Sequence, residues 1–390
     1  MNDMPEREIY QPTSGDLAQA EALLTPEQQA ASEDRAAAKF QERRPFGESG
    51  DRFTDKLERR PPTPEQRREI GAGLDKLGDL FAGSDIRWRL DGAINISLMT
   101  KPPGEYIGAH KDFDVSIEQA DTAKLDGLLE KKGYGLFISR LKVEGDPKSS
   151  RVMERVGASR LTGDPADTVM IGAIDAAGKL RSDEQLDFVD VHVVRRDQAG
   201  RALGPFGKPL PEKWLEARTV GHNGRELKIS DPRLVAYYKV REGRPYDLAD
   251  VRHLVEAGRI TAKEAGEIEA VIGGDLASRR EMVSGMTVEV LSGLGADVRP
   301  DTFTKAFAAH PRVAGRITDP GDPQLAKLEQ VLGGLERLDA AKISEALIEV
   351  FSLGDYEQEQ RRKVGELRAM VREQEDAAAA ASLRRDIGKM

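Results

Sequence analysis

Two short segments of the sequence alternate apolar and polar residues with a period of two. The first, DFDVSI at 112–117, places Phe113, Val115 and Ile117 on one side of an extended chain. The second, LDFVDVHVV at 186–194, does the same with its valines at positions 189, 191 and 193. Successive side chains of a strand point to opposite faces, so both segments predict strands with one buried and one polar face. The fold must therefore contain a sheet with one buried face and one polar face.

Helical signals surround these strands. Thr63 before Pro64 is typical of a helix N-terminus, and apolar residues at helical spacing predict a helix over about 64–82. ADTAKLDGLLEKKG predicts a second helix, in which Gly133 suits a left-handed C-terminal cap. IRWRLDG and YGLFISRL predict further strands, and the turn-rich stretch before LDFVDVHVV has room for one or two more. The sequence therefore predicts the α+β class, with a mixed sheet flanked by helices.

After GRELKIS at 224–230 the sequence pattern becomes mostly helical. Ser230 is predicted to cap a helix from Pro232 to about Arg241, and Asp247 to open another. From Thr261 onward the pattern predicts almost only helices, among them TAKEAGEIEAVIGG and RREMVSGMTVEVLSGL as two separate elements. We therefore expect a mostly α-helical C-terminal region over 258–390.

The first sixty residues contain only eight Leu, Ile, Val or Phe. Burial of so little apolar surface cannot offset the conformational entropy that the chain would lose on folding. We therefore predict a disordered leader over 1–62. The chain is therefore predicted to consist of the leader, a domain over 63–257 that contains the candidate functional residues, and the helical region.

Composition excludes several classes of function. The chain has no cysteine, which removes disulfide scaffolds, thiolate metal sites and thiol nucleophiles. Its net charge of -9 argues against a general binder of nucleic acid or of anionic membranes. Neither an export signal nor a membrane-spanning stretch is found, so no membrane partner and a cytoplasmic location are expected.

The polar faces of the two alternating strands carry the candidate chemistry. Asp112 and Asp114 share one face of the first strand, and Asp190 lies on the corresponding face of the second. Carboxylates placed side by side repel one another, and a divalent cation makes the arrangement favourable. Three converging carboxylates are what a two-metal phosphoryl or nucleotidyl transfer site needs, and oxygen ligands suit Mg²⁺ or Mn²⁺. The alternative is an ordinary solvated strand face.

A glycine turn lies upstream of these strands. The strand RWRL runs into Asp91, Gly92 and Ala93, and a helix or turn follows. Glycine at a strand-to-helix turn lets the backbone N–H groups approach a phosphate closely. Because chains often turn at glycine, this signal is weak alone.

Four segments in order carry a family resemblance: WRLDGAINISL, HKDFDVSI, FVDVHVVRRDQAGRALG and GRELKISDPRLVAYYKVREGRPYDLADVRHL. Together they resemble the small nucleotidyltransferases of the polymerase-beta-like superfamily. The nearest groups are the lincosamide and aminoglycoside nucleotidyltransferases, which act in antibiotic resistance, and the abortive-infection nucleotidyltransferase toxins. The resemblance covers about residues 64–257 and implies the minimal nucleotidyltransferase fold.

The resemblance also implies roles for individual residues. It assigns phosphate holding to Gly92 and Ala93, Mg²⁺ binding to Asp112 and Asp114, the third acid to Asp190, and a triphosphate contact to Lys239. Ala93 departs from the Gly or Ser that is usual there, and supplies a backbone N–H but no hydroxyl. From the residues alone, Lys239 is read as a surface lysine, and Asp247 and Asp250 as residues that decorate a helix N-terminus. His192 shares a face with Asp190 and is read as a hydrogen-bonding partner.

The implied activity is Mg²⁺-dependent transfer of a nucleoside monophosphate from an NTP to a hydroxyl. An aminoglycoside or lincosamide is one acceptor, and the acidic net charge favours such a cationic small molecule over RNA. A toxin-type enzyme acting on tRNA or protein, and a catalytically silent nucleotide-binding or interaction protein, are the alternatives. The sequence leaves open whether the helical region lines the acceptor cleft, mediates oligomer formation or docks a partner.

Overall fold

The computed structural model describes residues 62–108, 113–141, 151–162, 169–181, 189–204, 207–242, 245–311, 313, 322–351 and 353–387. The predicted leader therefore lies outside the described residues, apart from Pro62. The chain divides into two compact units, one of Met1–Arg196 and Lys213–Val235, the other of Asp197–Glu212 and Ala236–Met390. The domain boundary drawn after residue 257 from the family resemblance stays a prediction.

The described part of the first unit is built on an eight-stranded mixed sheet. Its elements are α1 Pro64–Phe81, β1 Trp88–Leu90, α2 Gly92–Thr100, β2 Phe113–Glu118, α3 Thr122–Lys131, β3 Tyr134–Leu141, β4 Arg151–Val156, β5 Val169–Ala173, β6 Val189–Val194, β7 Arg218–His222 and β8 Arg225–Ile229. Single 3₁₀ turns occur at Gln119–Asp121, Ala158–Thr162 and Glu212–Trp214. The strand order is β4-β3-β5-β6-β2-β1-β8-β7. The predicted α+β class is confirmed.

The pairing of the central strands places the C-terminal end of β1 beside the N-terminal ends of β2 and β6. β2 pairs with β6 in parallel and with β1 antiparallel, and β1 pairs with β8 in parallel. The remaining neighbours are antiparallel. Strands β4 and β5 fill the stretch for which one or two strands were predicted, whereas β7 and β8 were not predicted.

Helix α1 begins as the sequence predicts. The Thr63 hydroxyl accepts the Gln66 N–H at 3.2 Å, and the Gln66 side chain accepts the Thr63 N–H at 2.9 Å. This capping box satisfies two N–H groups that the helix itself cannot pair. Leu74 and Leu77 on the inner side of the helix are fully buried against the sheet.

The alternating strands bury the faces that were predicted to be buried. Phe113, Val115 and Ile117 of β2 belong to one core with Val189 and Val191 of β6. Each such side chain contributes roughly 1.5–3 kcal/mol by leaving water. A shift of one residue would turn these side chains outward, so core burial fixes which residues of β2 and β6 face the opposite, polar side.

The second unit is helical. After α4 (Pro232–Glu242), in which the division between the units falls, it contains α5 Pro245–Glu256, α6 Ala262–Leu294, α7 Pro300–Ala308, α8 Pro323–Gly333, α9 Ala340–Val350 and α10 Leu353–Ile387. Phe303, Leu328 and Ile343 are fully buried in its core. Among the described residues, no helix is both long and apolar enough to cross a membrane.

Two local predictions in this half of the chain are wrong. The segments predicted as two helices form one helix, α6, because Ile268, Ile272 and Leu276 continue a buried stripe through the predicted break. Packing of that stripe outweighs the cost of helical glycine, about 1 kcal/mol per residue. The cap of α4 is Asp231, whose carboxylate accepts the Arg233 N–H at 2.9 Å, and not Ser230.

Candidate functional site

Three aspartates lie next to one another across β1, β2 and β6. Asp114 and Asp190 are register partners in the parallel pair of β2 and β6. Asp91 follows the last residue of β1, and its N–H donates to the Asp114 carbonyl oxygen at 2.8 Å. Neighbouring strands are about 5 Å apart, so the backbones of the three residues are adjacent. The sequence prediction that Asp114 and Asp190 share one face is confirmed.

The glycine turn packs directly on one of these carboxylates. Gly92 has a φ of +67°, a left-handed conformation that favours glycine. A Cβ atom at this position would overlap an oxygen of the Asp114 carboxylate and lie 3.2 Å from its Cγ. The site therefore requires glycine both for the backbone conformation and for the room that Asp114 occupies.

Asp91 is held by two serine hydroxyls. The Ser116 hydroxyl of β2 donates to one of its carboxylate oxygens, and the Ser230 hydroxyl, one residue beyond β8, donates to the other. Both serines are buried. The Ser230 carbonyl in turn accepts the side-chain amide of Asn95 from α2 at 3.2 Å. This hydrogen-bonded group ties β1, β2, α2 and the end of β8 together at one edge of the site.

His192 supplies positive charge to the same face. Its Nε2 lies 3.4 Å from an Asp114 carboxylate oxygen, and 54% of its side chain is exposed. Removal from water by itself lowers the pKa of His192, but the hydrogen bond to Asp114 and the charges of Asp114, Asp190 and Asp91 raise that pKa to about 9. The reading of His192 as a hydrogen-bonding partner is confirmed.

The carboxylates suit a hard divalent cation. Asp114 and Asp190 offer oxygen ligands from adjacent strands, which is the donor type that Mg²⁺ prefers. Within the described ranges, no group of three or more His, Asp or Glu side chains is arranged to hold a metal ion. Asp112, the third ligand predicted from the sequence, lies outside the described residues. Its role stays a prediction.

The N-terminus of α2 adjoins these carboxylates. Gly92 and Ala93 are its first two residues, and Ala93 is buried. Backbone N–H groups in a first helical turn have no partner within the helix and favour anions. Asp91 occupies the N-cap position, yet its side chain makes no capping hydrogen bond. The phosphate-holding role predicted for Gly92 and Ala93 is consistent with this geometry and stays a prediction.

Lys239 belongs to the second unit and has two buried partners. Its ammonium group lies 2.6 Å from a carboxylate oxygen of Asp247 and 3.0 Å from one of Asp250. All three side chains are almost completely buried. The reading of Lys239 as a surface lysine is therefore wrong. Asp247 lies in the first turn of α5, as predicted, and together with Asp250 it also pairs with Lys239. The implied triphosphate contact of Lys239 stays a prediction.

Comparisons with known proteins add little to this geometry. No family model matches the chain, and no curated protein matches it. Among solved structures, the chain is similar to an antigenic nucleotidyltransferase-like protein from Paracoccidioides brasiliensis, with 12% identity and a TM-score of 0.29. That similarity covers 57% of this chain and 93% of the other. At this TM-score the similarity carries no argument about fold or function.

The sequence pattern predicts Asp91 only as part of a turn and Ser230 as a helix cap. The period of two that marks β2 also applies to β1, where it places Arg89 and Asp91 on the polar face. That signal could have added Asp91 to the aspartates of the site. The contact with Ser230 spans 139 residues, and no local pattern predicts it.

Proposed function

We propose that the protein is a Mg²⁺-dependent nucleotidyltransferase that moves a nucleoside monophosphate from an NTP to a hydroxyl acceptor. The observation that carries the proposal is the register of Asp114 and Asp190, with the Gly92 turn packed against the Asp114 carboxylate. Two carboxylates on one face beside a helix N-terminus supply ligands for a cation and N–H groups for phosphate. The sequence resemblance stated above points to the same chemistry.

The residues of the site fall into distinct roles in this proposal. Asp114, with Asp112 by resemblance, would hold Mg²⁺ on the triphosphate. Held there, Mg²⁺ would supply neutralisation of the charge on the phosphates and on the leaving pyrophosphate. The N–H groups of Gly92 and Ala93 would orient the phosphates from the other side. Lys239 is given no role, because its ammonium group contacts two buried carboxylates.

The transfer forms one bond to the α-phosphorus, breaks another, and releases the proton of the acceptor hydroxyl. The acceptor oxygen bonds to the α-phosphorus, the bond from that phosphorus to the α,β-bridging oxygen breaks, and pyrophosphate leaves. The hydroxyl proton needs a base, and Asp190 is the carboxylate next to Asp114 that we assign to it. In the alternative role, Asp190 would hold a second cation, which would supply the Lewis acidity that lowers the pKa of the hydroxyl.

We favour a small cationic molecule with a free hydroxyl as the acceptor. The face carries Asp91, Asp114 and Asp190 close together, and the chain as a whole is acidic. A polyanionic acceptor such as tRNA would be repelled, whereas an aminoglycoside would be attracted. A tRNA or protein acceptor, as in a toxin, is a separate outcome of the experiment below.

The experiment incubates the purified protein with Mg²⁺ and each NTP labelled at the α-phosphate. Separate reactions contain aminoglycosides, lincosamides, tRNA or a protein pool, and label transfer is measured by chromatography or gel. We expect transfer to one class, and loss of at least about 100-fold in Asp114→Asn, because a ligand of the metal is worth several kcal/mol in the transition state.

The matched control is Asp79→Asn, which removes an exposed aspartate that pairs with Arg225 at 2.7 Å. It should retain wild-type transfer. Absence of label in every pool would contradict an enzymatic role and favour a silent nucleotide-binding protein. Wild-type turnover by folded Asp114→Asn would show that the site is assigned wrongly.

A further inference from the structure

The Asp91 carboxylate occupies an unusual position for an N-cap residue. Aspartate at an N-cap normally accepts an N–H of the first helical turn, which stabilises a helix by roughly 0.5–2 kcal/mol. Asp91 has the extended backbone of an N-cap residue, with φ of −123° and ψ of −168°, and its side chain caps nothing in α2. Something else must hold the carboxylate away from the helix.

The Ser116 and Ser230 hydroxyls provide that restraint. Each donates to a different oxygen of the Asp91 carboxylate, so both oxygens are engaged from outside the helix. Ser230 is completely buried and Ser116 is 8% exposed, so neither hydroxyl has bulk water as an alternative partner. The backbone of Ser230 is fixed as well, because its N–H donates to the Leu90 carbonyl at 3.0 Å.

A released carboxylate would compete with a phosphate for the same N–H groups. Asp91 immediately precedes Gly92, whose turn opens α2 beside Asp114. If its side chain rotated to cap α2, it would take an N–H of the first turn and place a negative charge there. An incoming triphosphate would then lose a hydrogen bond and meet an additional like charge.

We infer that Ser116 and Ser230 are positioning residues for the nucleotide. They hold the Asp91 carboxylate off the N-terminus of α2, and thereby keep its N–H groups open to a phosphate of the NTP. The inference rests on the proposed function, since it concerns the nucleotide of that reaction. It predicts an effect on nucleotide affinity rather than on the chemical step, because both hydroxyls donate to Asp91, which is neither the proposed Mg²⁺ ligand nor the proposed base.

The test compares wild type, the double variant Ser116→Ala/Ser230→Ala, and a triple variant that adds Asp91→Ala. Affinity for a non-hydrolysable Mg²⁺–NTP analogue is measured by calorimetry, and KM and kcat by label transfer. The double variant should bind about tenfold more weakly, a change of about 1.4 kcal/mol. Its kcat should change by less than about twofold, as expected when binding alone is impaired.

The triple variant should recover most of the lost affinity, because the competing carboxylate is gone. A purely structural role for the serines predicts the opposite, since a third substitution in the same cluster would loosen it further. Ser344→Ala is the control: this buried serine of the second unit donates to the Ala340 carbonyl at 2.7 Å, and its loss should leave affinity unchanged.

Three results would overturn the inference or its premise. Wild-type affinity in the folded double variant, or a triple variant that binds no better than the double, overturns the inference alone. Failure of the wild type to bind any NTP overturns the proposed function and the inference together. If the double variant does not fold, each single serine variant is measured, and both should weaken binding by a smaller factor.

Discussion

Gly92 is the residue on which backbone conformation and site geometry both depend. Its left-handed φ would cost another residue about 1–2 kcal/mol. In addition, a Cβ atom would displace the Asp114 carboxylate, whose position defines the proposed metal site. These two effects can be separated, because Gly104 has a φ of +79° and open space where its Cβ would be.

We predict that Gly92→Ala and Gly104→Ala both lose stability but differ in function. The left-handed φ should cost each variant about 1–2 kcal/mol in the free energy of unfolding, measured by urea denaturation, and Gly92→Ala should lose more because Asp114 must also move. Only Gly92→Ala should also lose nucleotidyl transfer, by at least about tenfold, because it alone moves Asp114. Equal transfer by the two variants would mean that Asp114 does not need the space beside Gly92.

At the same scale, the sequence predicts which residues share a face but not which atoms meet. Alternation was enough for Asp114 and Asp190, because a residue's face follows from its parity along a strand. The buried partners of Lys239 could not be predicted in this way. Asp247 lies eight residues away across a helix break, and the pairing depends on how α4 and α5 pack. A buried lysine with two carboxylates looks, in sequence, like three surface residues.

At the scale of elements, the predicted helices and strands hold where periodicity is strong. Two exceptions, α6 and β7, both arise from contacts with other parts of the chain, which local periodicity does not show. The glycines at 273 and 274 predict a break, yet the buried stripe of α6 carries the helix through them. β7 has little apolar content, and most of its residues are exposed or half-buried. Its pairing with β8, which supplies the backbone hydrogen bonds, makes it a strand.

Two ion pairs that share the Asp121 carboxylate link the approach to β1 with the start of α3. The Asp121 carboxylate, of which only 5% is exposed, lies 2.7 Å from the Arg87 guanidinium and 3.0 Å from the Lys124 ammonium. It also accepts the Arg87 backbone N–H at 3.1 Å. Burial alone would raise the pKa of Asp121, but these hydrogen bonds outweigh it and lower that pKa to about 2.

We predict that this group makes the first unit sensitive to acid. Because the folded pKa is below the unfolded value of 3.8, its stabilisation is complete above about pH 5 and is lost as the pH falls through about 2. The shift corresponds to about 2 kcal/mol. Urea denaturation at pH 6 and pH 2.5 should show a smaller loss of stability in Asp121→Asn than in wild type. An equal loss in both proteins would exclude this contribution.

At the scale of the whole molecule, the two units can be followed separately. Both tryptophans of the chain, Trp88 and Trp214, belong to the first unit and are buried. Trp88 also stacks on Phe81, with ring centroids 4.6 Å apart. Tryptophan fluorescence therefore reports unfolding of the sheet unit, whereas far-UV circular dichroism is dominated by helices, many of which belong to the second unit.

Because tryptophan fluorescence reports unfolding of the first unit, it can detect cation binding at the proposed site without a turnover assay. A ligand that binds only the folded state stabilises it by about 2.7 kcal/mol at a concentration 100 times its Kd. Mg²⁺ together with an NTP analogue should therefore raise the fluorescence-detected Tm in wild type and in Asp79→Asn. Asp114→Asn should show little or no such rise, because it lacks a carboxylate ligand. A rise of equal size in Asp114→Asn would mean that the cation and nucleotide bind elsewhere, and would remove the support that this site gives to nucleotidyl transfer.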